Sequence, residues 1–163
     1  AVCESLLDVI PLIEEINQQR RLLEAERGTY IPAFETVDLT ELLQDLKKLY
    51  ENHERTPGRR LEIDTAEACA VTSDRPLLRR IVGNMVLNAL EASKPGDTVS
   101  IWSHCQAGRV RISVTNPGEM PLDVQLQLFK RSFSTKEKQG RGLGTYSMKL
   151  FGERYLGGVV DFY

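Results

Sequence analysis

The sequence predicts an α+β two-layer sandwich, a mixed β-sheet covered on one face by helices and preceded by a separate N-terminal helix. Short apolar runs of strand character, at 61–64, 70–72 and 99–101, are interleaved with longer stretches of helical period at 39–49, 76–93 and 143–155. Alternating Val110, Ile112 and Val114 face back on Val99 and Ile101 across Ala107-Gly108, a hairpin signature. The 163 residues suffice for one domain of ordinary size plus an appendage, without repeats or low-complexity stretches.

In chain order, residues 1–27 read as helix. Val2, Leu6, Val9, Ile13, Ile16, Arg20 and Leu23 recur in alternating steps of four and three, a seam suited to a partner helix in a dimeric bundle. Pro11 either kinks that helix or opens a new one, and Gly28 to Pro32 breaks it off. A short strand at 36–39 leads into a helix with Asp38 as N-cap, Glu41 three residues on, and a buried face of Leu39, Leu42, Leu43, Leu46 and Leu49. Two strands follow, at 61–64 and 70–72. The helix at 76–93 has Pro76 in its first turn and Pro95-Gly96 beyond its end. After the hairpin at 97–115 come a short helix at 122–129, a polar loop, a helix at 143–155, and a strand at 159–163 reached through Gly157-Gly158.

With 41% hydrophobic and 27% charged residues, the composition is that of a globular protein, and a net charge of −2 leaves no polybasic surface for nucleic acid. No apolar run approaches the ~18 residues of a membrane span, and no signal-peptide pattern is present. Cys3, Cys69 and Cys105 are odd in number and form no C-x-x-C pair, which predicts three reduced thiols in a cytoplasmic protein.

Three stretches carry the chemistry. At ~100° per residue, Leu78, Val82, Met85, Val86, Ala89 and Leu90 share one arc of the 76–93 helix, and Asn84, Asn88 and Glu91 lie together opposite. Asparagine costs a helix interior roughly 0.5 kcal/mol against alanine, so two of them at i and i+4 need a reason. Their side-chain oxygens are hard neutral ligands suited to Mg²⁺. Thr115-Asn116-Pro117-Gly118 closes the hairpin with a turn and an adenine-sized polar contact. Phe133-Ser134-Thr135-Lys136 then runs into Gly140-Arg141-Gly142-Leu143-Gly144-Thr145, where glycines let backbone approach phosphates as a helix opens. The glycine spacing is neither a Walker loop nor G-x-G-x-x-G. Together the three stretches point to ATP.

Their order and spacing resemble the catalytic domain of sensor histidine kinases, in the GHKL group of ATPases and kinases, over residues 37–163. The resemblance implies Mg²⁺ on Asn88 and adenine recognition by Asn116, or by Thr115 in an ungapped register. It implies an ATP site of Asn84, Asn88, Glu91, Asn116, Gly118, Met120, Phe133, Ser134, Thr135, Lys136, Gly140, Arg141, Gly142, Leu143, Gly144 and Thr145. Asn84 and Lys136 would be catalytic. Hydrolytic relatives such as DNA gyrase carry Glu where this chain has Asn84; an amide cannot take the proton of water, which points to a kinase. Phe129 and Phe133 would anchor a short lid.

The resemblance further implies that residues 1–30 are part of a dimerisation helix with its linker. Residues 31–163 are then the ATP-binding domain, stopping short of the usual last strands. The expected partners are a phosphoacceptor domain of the same kinase, as a homodimer in the full-length protein, and a response regulator, in the cytoplasm and without membrane contact by this chain. Neither His53, in a near-match to His-Glu-x-x-x-Pro on the wrong side of the first helix, nor His104, in the hairpin, is expected to accept phosphate. Two alternatives remain: a GHKL serine kinase of the anti-sigma-factor type, and an ATP-gated binding module without transfer activity.

Overall fold

Asp38 and Asp74 each end a strand and start a helix. In the computed structural model, which describes residues 2–51, 53, 57–65, 68–130 and 143–163 (of 2–12, 14 and 65 the backbone alone), both carboxylates accept from the backbone three residues on. Asp38 Oδ1 takes the Glu41 N–H at 3.1 Å and Asp74 Oδ1 the Leu77 N–H at 2.9 Å. The two strands they close, β1 (Phe34–Asp38) and β3 (Ala70–Asp74), pair antiparallel with Phe34 opposite Asp74 and Asp38 opposite Ala70. The caps therefore sit at opposite ends of the ribbon and launch α2 (Leu39–Tyr50) and α3 (Arg75–Ala92) from either end.

Asp74 is almost wholly buried, and its Oδ2 also accepts the Ala33 N–H at 2.9 Å. Asp74→Ala would orphan both N–H groups. We predict a loss of about 2–4 kcal/mol in urea unfolding. A loss under about 1 kcal/mol would mean that water replaces the carboxylate.

Between these elements, β2 (Arg60–Thr65) pairs parallel with β4 (Thr98–Gln106), and β4 pairs antiparallel with β5 (Arg109–Thr115). The order β2-β4-β5 makes a mixed sheet, separate from the β1–β3 ribbon. Ala107 and Gly108, at φ 49° and 73°, form the hairpin turn. Alternation sorts the faces of β4: Val99, Ile101 and Ser103 point inward and are buried, while Trp102 and His104 point outward. Their rings stack at 5.6 Å between centroids and 14° between planes. The inner face meets α2 and α3 in one core with Leu39, Leu42, Leu43, Leu46, Leu61, Val82, Val86 and Leu90. Helices thus cover one face of the sheet. Leu49, expected in the buried face of α2, is half exposed, one residue from the helix end.

The far end of α3 is held by Arg59, whose Nε and Nη2 donate to Ser93 O at 2.9 and 2.7 Å. Ser93 Oγ in turn donates to Ala89 O at 2.8 Å. Cys69 and Cys105, expected as free thiols, form a disulfide with Cα atoms 6.2 Å apart. Their separation of 36 residues hid the approach, because Cys69 precedes β3 and Cys105 lies in β4, strands of two different sheets.

The C-terminal elements are shorter than expected. The helix anticipated at 122–129 is α4 (Leu122–Gln125), followed by turns to Phe129 at φ 70°. The helix anticipated at 143–155 divides into α5 (Gly144–Lys149) and a π-helical stretch, Leu150–Tyr155, with Leu156 N–H bonded to Phe151 O at 3.0 Å. Residues 159–163 are not a strand. The N–H groups of Val160 and Phe162 bond the carboxylates of Glu153 and Asp161, at 3.4 and 2.9 Å, instead of a ladder. A Cβ on Gly152 would collide with the Val160 side chain, so only glycine admits this packing.

The contacts divide the chain into units Ala1–Pro32 and Ala33–Tyr163. The first is α1 (Val2–Arg27), one helix running through Pro11. It ends in a Schellman motif: Gly28, at φ 75°, donates to Ala25 O at 3.1 Å, and Thr29 N–H to Glu24 O at 2.9 Å. Ile13, Ile16 and Leu23 of its apolar seam are exposed.

Candidate nucleotide site

The asparagine face of α3 turns toward the start of α5. Asn84 and Asn88 are each half-buried, one turn apart, with half-buried Glu91 beyond them. Asn84 Nδ2 donates to Gly144 O at 3.5 Å and to Ser147 Oγ at 3.4 Å, bridging residues 60 and 63 positions away. The N-terminal end of α5 is thereby pinned to the asparagine helix. A glutamate at position 84 would set a carboxylate against the Gly144 carbonyl with no N–H to donate. Leu143, Gly144 and Thr145 are half-buried beside it.

At the end of β5, Thr115 Oγ1 donates to Ser100 O at 3.5 Å. Asn116 Nδ2 donates to Pro117 O at 3.0 Å, and its carbonyl oxygen is the acceptor end of the amide. Gly118 follows at φ 110°, and Met120 is exposed beside it. Lys149 Nζ lies 4.9 Å above the Phe129 ring, and Phe162 packs 6.0 Å away on that ring. Phe133, Ser134, Thr135, Lys136, Gly140, Arg141 and Gly142 lie outside the described residues. His104 is on the outer sheet face, and His53 packs 5.8 Å from Tyr50.

The sequence reading missed Ser147. Its signal was register: Gly144, Ser147, Met148 and Phe151 fall on one helical stripe, and a serine among apolar neighbours needs a partner. Among the described residues no group of three His, Cys, Asp or Glu could hold a metal ion. The donors offered are amide oxygens and the Glu91 carboxylate. That set fits Mg²⁺, which takes few protein ligands and completes its shell with water and phosphate oxygens.

A mixed sheet backed by an asparagine-bearing helix, with a glycine turn latched to it, defines a nucleotide-binding class. The sequence profile of the histidine kinase-, DNA gyrase B- and HSP90-like ATPases matches residues 73–163, more than half of the chain, and the chain belongs to that family. Within it, the chain is the ATP-binding catalytic domain of a sensor histidine kinase. It is 30% identical over 139 residues to the sensor protein VanSB of Enterococcus faecalis, covering 79% of this chain and 30% of VanSB. The sensor histidine kinase ZraS of Klebsiella oxytoca is 30% identical over 143 residues, or 86% of this chain and 30% of ZraS. The chain thus spans about 30% of the length of these curated relatives. The catalytic domain of histidine kinase ThkA superposes with a TM-score of 0.67 at 29% identity, covering 75% of this chain and 81% of that one. ThkA has also been solved in complex with the response regulator protein TrrA.

Proposed function

We propose that this domain binds Mg-ATP and passes the γ-phosphoryl group to a histidine on the dimerisation domain of its kinase, for relay to a response regulator. The observation that carries this reading is Asn84, an amide bonded to Gly144 and Ser147 where hydrolytic relatives place a carboxylate. Nothing at that position deprotonates water, so bound ATP waits for another nucleophile. The acceptor imidazole nitrogen attacks the γ-phosphorus, an N–P bond forms, and the bond to the bridging oxygen of ADP breaks. Asn88 holds Mg²⁺ in this reading, with the Asn116 oxygen on the adenine amino group. Lys136, Ser134, Thr135, the backbone about Gly140–Gly144 and Arg141 meet the phosphates.

Residues 1–30 then belong to the dimerisation helix and linker, and 31–163 to the catalytic domain. The exposed seam of Ile13, Ile16 and Leu23 supports a helix built for a homodimer partner. The ThkA–TrrA complex supports a response regulator as the further partner. Among the described residues no helix is long and apolar enough to cross a membrane, and we place the domain in the cytoplasm.

The test is γ-labelled ATP with this chain, alone and with a histidine-bearing dimerisation segment of the same kinase. We expect no label on the chain itself and acid-labile label on the added segment. Acid-stable label on serine would favour the anti-sigma-type kinase, and ATP binding without transfer a nucleotide-gated module. Either outcome overturns the proposal.

A further inference from the structure

Ser147 is wholly buried, and its hydroxyl donates to Gly144 O, one helical turn back, at 2.9 Å. With that proton committed, Ser147 Oγ faces Asn84 as an acceptor, and Gly144 O can only accept. Both partners of Asn84 on the α5 side are therefore acceptors, and the amide must turn its nitrogen toward them. The opposite end of the amide, Oδ1, is what remains to meet a ligand.

We propose that Ser147 is a positioning residue for the nucleotide site. Through its bond to Nδ2 it fixes which end of Asn84 meets Mg-ATP, and it sets the distance between α3 and the Gly144 turn. The inference rests on the reading of this face as the Mg-ATP site. Without the hydroxyl, Gly144 O is the one of these two partners that remains, at the longer of the two distances, 3.5 Å. The amide can then flip and offer N–H groups where an oxygen is needed. An alanine at 147 keeps the helix and removes only one oxygen, so the backbone has no reason to move.

The experiment is a double-mutant cycle on this chain. Titration calorimetry with ATP and Mg²⁺ is run on the parent, Ser147→Ala, Asn84→Ala and the double variant, with thermal unfolding alongside. We expect Ser147→Ala to bind about five-fold more weakly, the scale of one ordinary hydrogen bond. Asn84→Ala should weaken binding at least as much, and the double variant should be no weaker than Asn84→Ala alone. A purely structural serine would instead lower stability and leave affinity intact, or would multiply with Asn84→Ala. Either result overturns the proposal. Ser147→Cys, slightly larger and with a weaker acceptor, should fall between parent and alanine, and it carries the test if the alanine variant does not fold. A parent that binds no Mg-ATP would overturn the nucleotide reading itself, and that arm is read before any variant.

Discussion

Replacing Asn88 by alanine is expected to remove magnesium-dependent ATP binding and leave the domain folded. Asn88 is half-buried on the side of α3 away from Val82, Val86 and Leu90, so truncating its amide opens no hole in the core. In a helix interior alanine is favoured over asparagine by roughly 0.5 kcal/mol, so unfolding should be unchanged or slightly delayed. The binding loss should be large. Outer-shell partners of a metal cost about 10- to 100-fold when removed, and a direct ligand should cost about a hundredfold or more. Calorimetric titration with ATP, with and without Mg²⁺, reads it directly. Unchanged affinity in the presence of Mg²⁺ would take Asn88 out of the site.

The second large effect is on stability. Phe151 is the largest fully buried side chain among the described residues, set in the π-helical stretch with the Arg80 guanidinium 5.4 Å over its ring. Phe151→Ala is expected to cost about 3–5 kcal/mol, because a packed site among helices cannot collapse around a missing ring. For a chain of this length that is a fall of roughly 10 °C in Tm. A shift under about 3 °C would show that the C-terminal stretch closes over the gap.

Much of the scaffold was legible because its signals are local. Asp38 bonds a residue three positions on, and the Ala107-Gly108 turn needs only its own dihedrals. The asparagine pair on α3 also stood out locally, since an unusual residue in a helix interior is visible without any partner. What escaped the reading was set by distant partners. Ser147 gains its meaning from Asn84, 63 residues earlier, and the Cys69–Cys105 bond from the approach of two segments 36 residues apart. The π-helical stretch was hidden for the same reason: Gly152 looks like a helix weakness until Val160 is seen packed on it. The last segment has strand-like residues but no ladder partner, and composition cannot show that its N–H groups choose carboxylates.

The stacked pair on the outer sheet face decides how this protein can be watched. Trp102 is the only tryptophan of the chain, and its indole lies against the His104 imidazole on the side of β4 away from α3. Its emission will therefore report the integrity of the sheet. The same placement sets it on the face of β4 opposite the core and α3. Intrinsic fluorescence is thus an unfolding signal for every variant described above, and nucleotide occupancy is best read by heat or by label.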